Sequence, residues 1–61
     1  MKIVEELRNE RLRQGLSQDA LAKLAGTNQS TLSLIEQGHV QPTIKMLTNI
    51  ADALRKKIVL E

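Results

Sequence analysis

Residues 15–38 of the chain read GLSQDALAKLAGTNQSTLSLIEQG. This stretch predicts two short helices, at 18–25 and at 29–37, joined by a tight turn. Gly26 lies in that turn, where a helix closes in a left-handed conformation that glycine adopts without strain. Helices of two turns are not stable alone in water, so both must pack against the rest of the chain.

The two segments carry the residue types that such a pair of helices needs. Ser17 and Asn28 are good N-caps, because their side-chain oxygens accept hydrogen bonds from the first backbone amides of a helix. Ala22 is the small residue expected where the two helices cross. Leu32 and Ile35, three residues apart, give the second helix an inner stripe.

Two further helices are predicted on either side of this pair. The first runs over 2–14, and its expected inner face consists of Ile3, Val4, Leu7 and Leu12. Its pattern is broken at Arg11, where an apolar residue would be expected one turn after Leu7. The last begins after the cap Thr43, and its apolar positions recur at three- and four-residue steps: Ile44, Leu47, Ile50, Ala51 and Leu54. The pattern predicts a compact all-α domain of four or five helices.

The length and composition of the chain exclude several other classes of protein. Sixty-one residues are enough for one domain, at 1–61, and the core must be aliphatic because the chain has no Phe, Trp or Tyr. The absence of cysteine excludes disulfides and thiolate metal sites and favours a cytoplasmic protein. No apolar run approaches the length of a membrane span. His39 is the only histidine and lies in a predicted loop, so we expect no enzyme activity, no metal and no cofactor.

The outward face of the second short helix is the candidate reading surface. A helix of this size fits the major groove of B-DNA, with its N-terminal residues at the base edges. Gln29 suits adenine, and Ser30 and Ser33 donate or accept hydrogen bonds. Leu34 is an outward leucine, which favours contact with a thymine methyl group or with a partner protein. Solvation alone would explain a polar helix face in isolation, but the turn geometry favours DNA binding.

The run 15–38, together with Gln41-Pro42-Thr43 and Ile50-Ala51-Asp52-Ala53-Leu54, resembles the phage repressor and Cro (XRE-like) helix-turn-helix family. The likeness covers most of the chain. It implies a lambda-repressor-like domain that binds double-stranded operator DNA as a symmetric homodimer and commonly represses transcription. Relatives act in prophages, in restriction-modification control and in toxin–antitoxin pairs.

The resemblance also implies roles for individual residues. The base-contacting positions are Gln29, Ser30, Ser33 and Leu34. Gln18 corresponds to a residue that contacts the DNA backbone and braces the reading helix. The other residues expected at the backbone are Ser17, Lys23, Asn28, Thr31, Gln37 and Lys45. Arg11 and Glu36 match a buried ion pair that links the first and third helices, which explains the charge on the inner face of the first helix.

Two features depart from the family. There is no Lys or Arg from Leu24 to Ile44, so few phosphates are expected to be neutralised and binding should depend weakly on salt. The chain also stops at Glu61, where many relatives continue. Residues 55–61 fit a final helical turn, a short extended segment or a tail. Their apolar residues are our candidate dimer element, and cover for the domain's own core is an equal alternative: Ile58, Val59 and Leu60.

Three functions therefore follow from the sequence. The leading prediction is a dimeric transcriptional repressor that needs no membrane and no cofactor. The alternative is an antitoxin-type interaction module whose main partner is a toxin protein. A helical scaffold without a nucleic-acid role is the third, and alanine at Gln29 and Ser33 would leave its function intact.

Overall fold

The computed structural model of the chain describes residues 2–55, which form four helices and no strand. They are α1 (Lys2–Arg13), α2 (Gln18–Leu24), α3 (Gln29–Glu36) and α4 (Ile44–Ala53). The all-α prediction is confirmed, and α1, α2 and α3 each end one residue earlier than expected, a difference within the fraying of helix ends. The predicted dimer element, Ile58, Val59 and Leu60, and the conformation of residues 56–61 lie outside the described residues.

Each of the last three helices begins at the polar cap that the sequence predicts. Ser17 Oγ accepts a hydrogen bond of 3.0 Å from the backbone amide of Ala20. Asn28 Oδ1 accepts one of 2.9 Å from Thr31, and Thr43 Oγ1 one of 3.1 Å from Met46. These bonds satisfy amides that have no partner within the helix, so they fix where α2, α3 and α4 begin.

The turn between α2 and α3 closes through Gly26. Its φ is 77°, in the left-handed region that glycine favours. The amide of Thr27 donates to the carbonyl of Ala22 over 2.9 Å, and the amide of Gly26 donates to the carbonyl of Lys23 over 3.3 Å. This pair of bonds is the Schellman closure of a helix. The chain can therefore leave α2 and enter α3 within four residues.

A single aliphatic core joins the four helices. Helix α2 packs against α3 and α4, and α1 packs against the same two helices. Ala22 is fully buried, as expected for the small residue at the helix crossing. The buried apolar side chains are Val4, Leu7, Leu21, Ala22, Ala25, Leu32, Ile35, Leu47, Ile50, Ala51 and Leu54. Ile3 and Leu16 are half-buried against them.

Two residues from the apolar patterns of α1 and α4 are on the surface. Leu12 is 51% exposed, because Arg11 occupies the inner position at this end of α1 and turns its neighbour outward. Ile44 is 60% exposed, because it is the first residue of α4 and lies beside the exposed cap Thr43, at the edge of the core. The predicted inner position of Leu12 was wrong, and Ile44 is not buried with the other periodic residues of α4.

Candidate nucleic-acid interface

A buried ion pair ties α1 to the end of α3. Arg11 Nε donates to Glu36 Oε2 over 2.8 Å, and Arg11 Nη2 donates to Glu36 Oε1 over 2.9 Å. The two side chains are only 7% and 5% exposed. The remaining guanidinium nitrogen, Nη1, donates to the carbonyl of Leu16 over 2.8 Å, so the same arginine also holds the turn that precedes α2.

Two glutamines extend this ion pair to the surface. Gln18 Nε2 donates to Glu36 Oε1 over 3.0 Å, and Gln29 Nε2 donates to Gln18 Oε1 over 2.8 Å. A carboxylate only accepts hydrogen bonds, so the amide nitrogen of Gln18 must face Glu36 and its oxygen must face Gln29. That oxygen in turn can only accept, which brings the amide nitrogen of Gln29 toward it. We call Glu36, Gln18 and Gln29 the amide chain.

The amide chain decides what Gln29 presents to a ligand. One Nε2 hydrogen is used by Gln18, which leaves one N–H donor and the Oε1 acceptor on an exposed side chain. A neighbouring donor and acceptor in one plane match the Hoogsteen edge of adenine, which offers N7 as acceptor and the N6 amino group as donor. The side chain is therefore oriented before any ligand arrives.

The rest of the outward face of α3 is polar, with one exception. Gln37 Nε2 donates to Ser33 Oγ over 2.8 Å, which leaves the Ser33 hydroxyl hydrogen free to donate. Ser30 is exposed and Thr31 is half-buried. Leu34 is 42% exposed and lies away from the stripe that enters the core.

The residues expected at the DNA backbone surround this face, and several already have partners. Ser17 and Asn28 cap helices through their oxygens, yet the Ser17 hydroxyl hydrogen and the Asn28 amide hydrogens remain donors. Lys23 Nζ lies 3.2 Å from Asp19 Oδ2, and both side chains are on the exposed side of α2. Lys45 is exposed and forms no ion pair within residues 2–55.

Arg8 and Asn9 belong to the same region, although neither is among the site residues predicted above from the sequence. Both line a groove beside α3 together with Gln18 and Gln37. Arg8 Nε lies 3.8 Å from Glu36 Oε1, and half of its side chain is exposed. The available signal was the spacing: Arg8 is three residues before Arg11, so both project from the same side of α1.

No cluster of three metal-ligating side chains occurs among residues 2–55. No helix in that part of the chain is both long and apolar enough to cross a membrane.

Comparison with known proteins identifies the family of the chain. The helix-turn-helix family matches residues 7–60, which is well over half of the sequence. No curated protein and no solved structure is similar enough to count as a match. The four helices of the chain and the Schellman turn between α2 and α3 agree with the match to this family. The chain belongs to the XRE-type helix-turn-helix family of DNA-binding transcription regulators.

Proposed function

We propose that the chain is a transcriptional repressor that binds operator DNA as a symmetric dimer, with α3 in the major groove. The amide chain is the observation that supports this proposal most. A solvated surface glutamine needs no fixed orientation, whereas Gln29 is held through Gln18 by a buried carboxylate. Prearranged donors and acceptors discriminate between bases because a wrong base leaves them unpaired.

The proposed base contacts follow from what each side chain has left to offer. Gln29 gives its free N–H to adenine N7 and accepts from the N6 amino group. Ser33 donates its hydroxyl hydrogen to an acceptor such as guanine N7 or thymine O4, since Gln37 already donates to its oxygen. Ser30 and Leu34 lie farther out on the same face and contact the neighbouring base pairs.

The proposed backbone contacts fix the register of α3 in the groove. The Ser17 hydroxyl and the Asn28 amide donate to phosphate oxygens from the N-termini of α2 and α3, where the helix dipoles also favour anions. Gln18, Thr31 and Gln37 flank the reading face, and Lys23 and Lys45 supply positive charge. Such contacts position the protein without selecting a sequence.

A dimer follows from the small size of the reading surface. Helix α3 has only eight residues, so one subunit reaches a few base pairs. Two subunits related by a twofold axis would read two half-sites about 34–36 Å apart on a palindrome. We propose that Ile58, Val59 and Leu60 form the contact between subunits, and that the protein acts in the cytoplasm.

A selection from random duplex DNA tests the proposal. The full chain at low salt is expected to enrich a palindromic consensus, and the variant Gln29→Ala/Ser33→Ala is expected to lose it. Each lost base contact costs about 1–3 kcal/mol, so the double variant should bind the consensus at least tenfold more weakly.

Leu24→Ala is the matched control for that selection. Leu24 is 64% exposed and lines a groove between α2 and α4, away from α3. This variant should enrich the wild-type consensus. Folded wild-type protein that enriches no sequence, or a double variant that keeps the consensus, would contradict the proposal.

Weak salt dependence is a second expected result. Of the cations near α3, Arg8, Arg11 and Lys23 each lie within 4 Å of a carboxylate, and there is no Lys or Arg from Leu24 to Ile44. When the logarithm of the binding constant is plotted against the logarithm of salt concentration, the slope should therefore be no steeper than about −4 per subunit. Lys45→Ala should lower that slope by about 1. A slope equivalent to eight or more phosphates per subunit would be inconsistent with this interface.

An antitoxin-type interaction module is the second candidate function. It is favoured by the large apolar side chains on the surface, chiefly Leu12, Leu24 and Ile44. A toxin encoded by a neighbouring gene would then co-purify with this protein. Leu24→Ala would weaken that complex and leave the DNA sequence enriched by the selection unchanged. The two activities are compatible in one chain.

A further inference from the structure

Leu34 is an apolar side chain in the middle of a polar reading face. It follows Leu32 by two residues on α3, so it points nearly opposite to that buried side chain. Ser30 lies one turn before it on the same side of the helix, at the spacing where side chains are neighbours. Position 34 therefore faces the same ligand as Ser30 does.

The surroundings of Leu34 argue against a protein-docking surface. Its neighbours at helical spacings of three and four residues are Ser30, Thr31, Gln37 and Gly38, and none of them is a large apolar residue. Protein partners bind contiguous apolar patches, whereas along the outward face of α3 Leu34 is the one large apolar side chain. The expected ligand is therefore mostly polar and carries one small apolar group.

The major groove has one apolar group of this kind. Among the base edges it is the methyl group on C5 of thymine, and 5-methylcytosine carries the same group at the same place. We propose that Leu34 selects a 5-methylpyrimidine at one position of each half-site, an inference that rests on the proposed DNA-binding function. Leu34 lies one turn, about 5.4 Å, beyond Ser30, so this pyrimidine is one to two base-pair steps of about 3.4 Å from the base that Ser30 faces.

The experiment removes the methyl group without changing base pairing. In the duplex enriched by the selection, each thymine is replaced in turn by deoxyuridine, and the dissociation constant of the full chain is measured. Burial of one methyl group predicts that a replacement in one half-site weakens binding about three- to fivefold, and that replacements in both half-sites weaken it about tenfold or more. Leu34→Ala should bind the thymine and deoxyuridine duplexes equally at that position.

Leu24→Ala is again the control, because it removes an exposed leucine from outside the reading face. It should show the wild-type difference between thymine and deoxyuridine. Equal binding of all deoxyuridine duplexes by the wild type would overturn the inference and leave the proposed function intact. So would a thymine preference that persists in Leu34→Ala. Failure of folded protein to enrich any duplex would overturn both.

A second pair of duplexes distinguishes the two sources of the methyl group. The sensitive thymine–adenine pair is replaced by 5-methylcytosine–guanine and by cytosine–guanine. The wild type should prefer 5-methylcytosine to cytosine about three- to fivefold, and Leu34→Ala should not. Tighter binding of thymine than of 5-methylcytosine assigns the natural ligand as thymine, and the reverse order assigns it as methylated DNA. Equal binding of cytosine and 5-methylcytosine by the wild type would count against selection by the methyl group.

Discussion

Glu36→Ala is expected to unfold the protein or to weaken it badly, lowering the free energy of unfolding by about 3–5 kcal/mol. The substitution leaves the buried guanidinium of Arg11 without its carboxylate, and removal of one partner from a buried ion pair costs about 3–5 kcal/mol. Gln18 loses its acceptor as well. At about 0.05–0.15 kcal/mol per residue, a chain of this length has only about 3–9 kcal/mol of stability to lose. Thermal and urea denaturation followed by circular dichroism measure the effect.

Two further variants separate a charge effect from general damage to a helix. Glu6→Ala removes an exposed carboxylate from α1 and should change the free energy of unfolding by less than about 0.5 kcal/mol. Arg11→Met/Glu36→Leu removes both charges and should regain most of the stability lost in Glu36→Ala. The recovery is incomplete, because the carbonyl of Leu16 loses the bond from Arg11 Nη1. A Glu36→Ala protein that melts within a few degrees of the wild type would contradict this account.

Leu32→Ala is expected to destabilise the fold by about 2–5 kcal/mol. Leu32 is almost completely buried on the inner side of α3, so its truncation loses buried surface and leaves a cavity between the helices. Leu34→Ala is the matched control, with the same chemical change two residues along the same helix. Because Leu34 is exposed, that variant should stay within about 0.5 kcal/mol of the wild type. Equal losses in the two variants would mean that α3 is not oriented as described.

The helices could be predicted because their ends carry local chemical signals. Ser17, Asn28 and Thr43 mark three beginnings with side chains that bond the backbone a few residues away. Gly26 marks an end by its positive φ. The end of α4 has no such signal, because Arg55 takes the left-handed position with φ of 60° where a glycine would be typical. Such signals act over short distances, so a sequence alone reveals them.

The errors and omissions depend on how helices meet. Periodicity places Leu12 and Ile44 near the inner faces, but it cannot tell that Arg11 takes the inner position or that the first turn of α4 lies at the edge of the core. The hydrogen bonds of the amide chain were not predicted from the sequence either. The resemblance implied that Gln18 braces the reading helix, but the order of donors from Gln29 to Glu36 depends on the directions of three side chains on two helices.

The amide chain links the choice of target sequence to the interior of the protein. A descendant that replaced Gln18 with a shorter residue would keep its fold, since Arg11 and Glu36 would still pair. The side-chain amide of its Gln29 would then be free to rotate by half a turn. It could present its oxygen and nitrogen to a base in either of two orientations. Such a regulator would bind a wider set of sites less selectively. Divergence toward a new operator can therefore begin at a residue that contacts no base, before any residue of the reading face has changed.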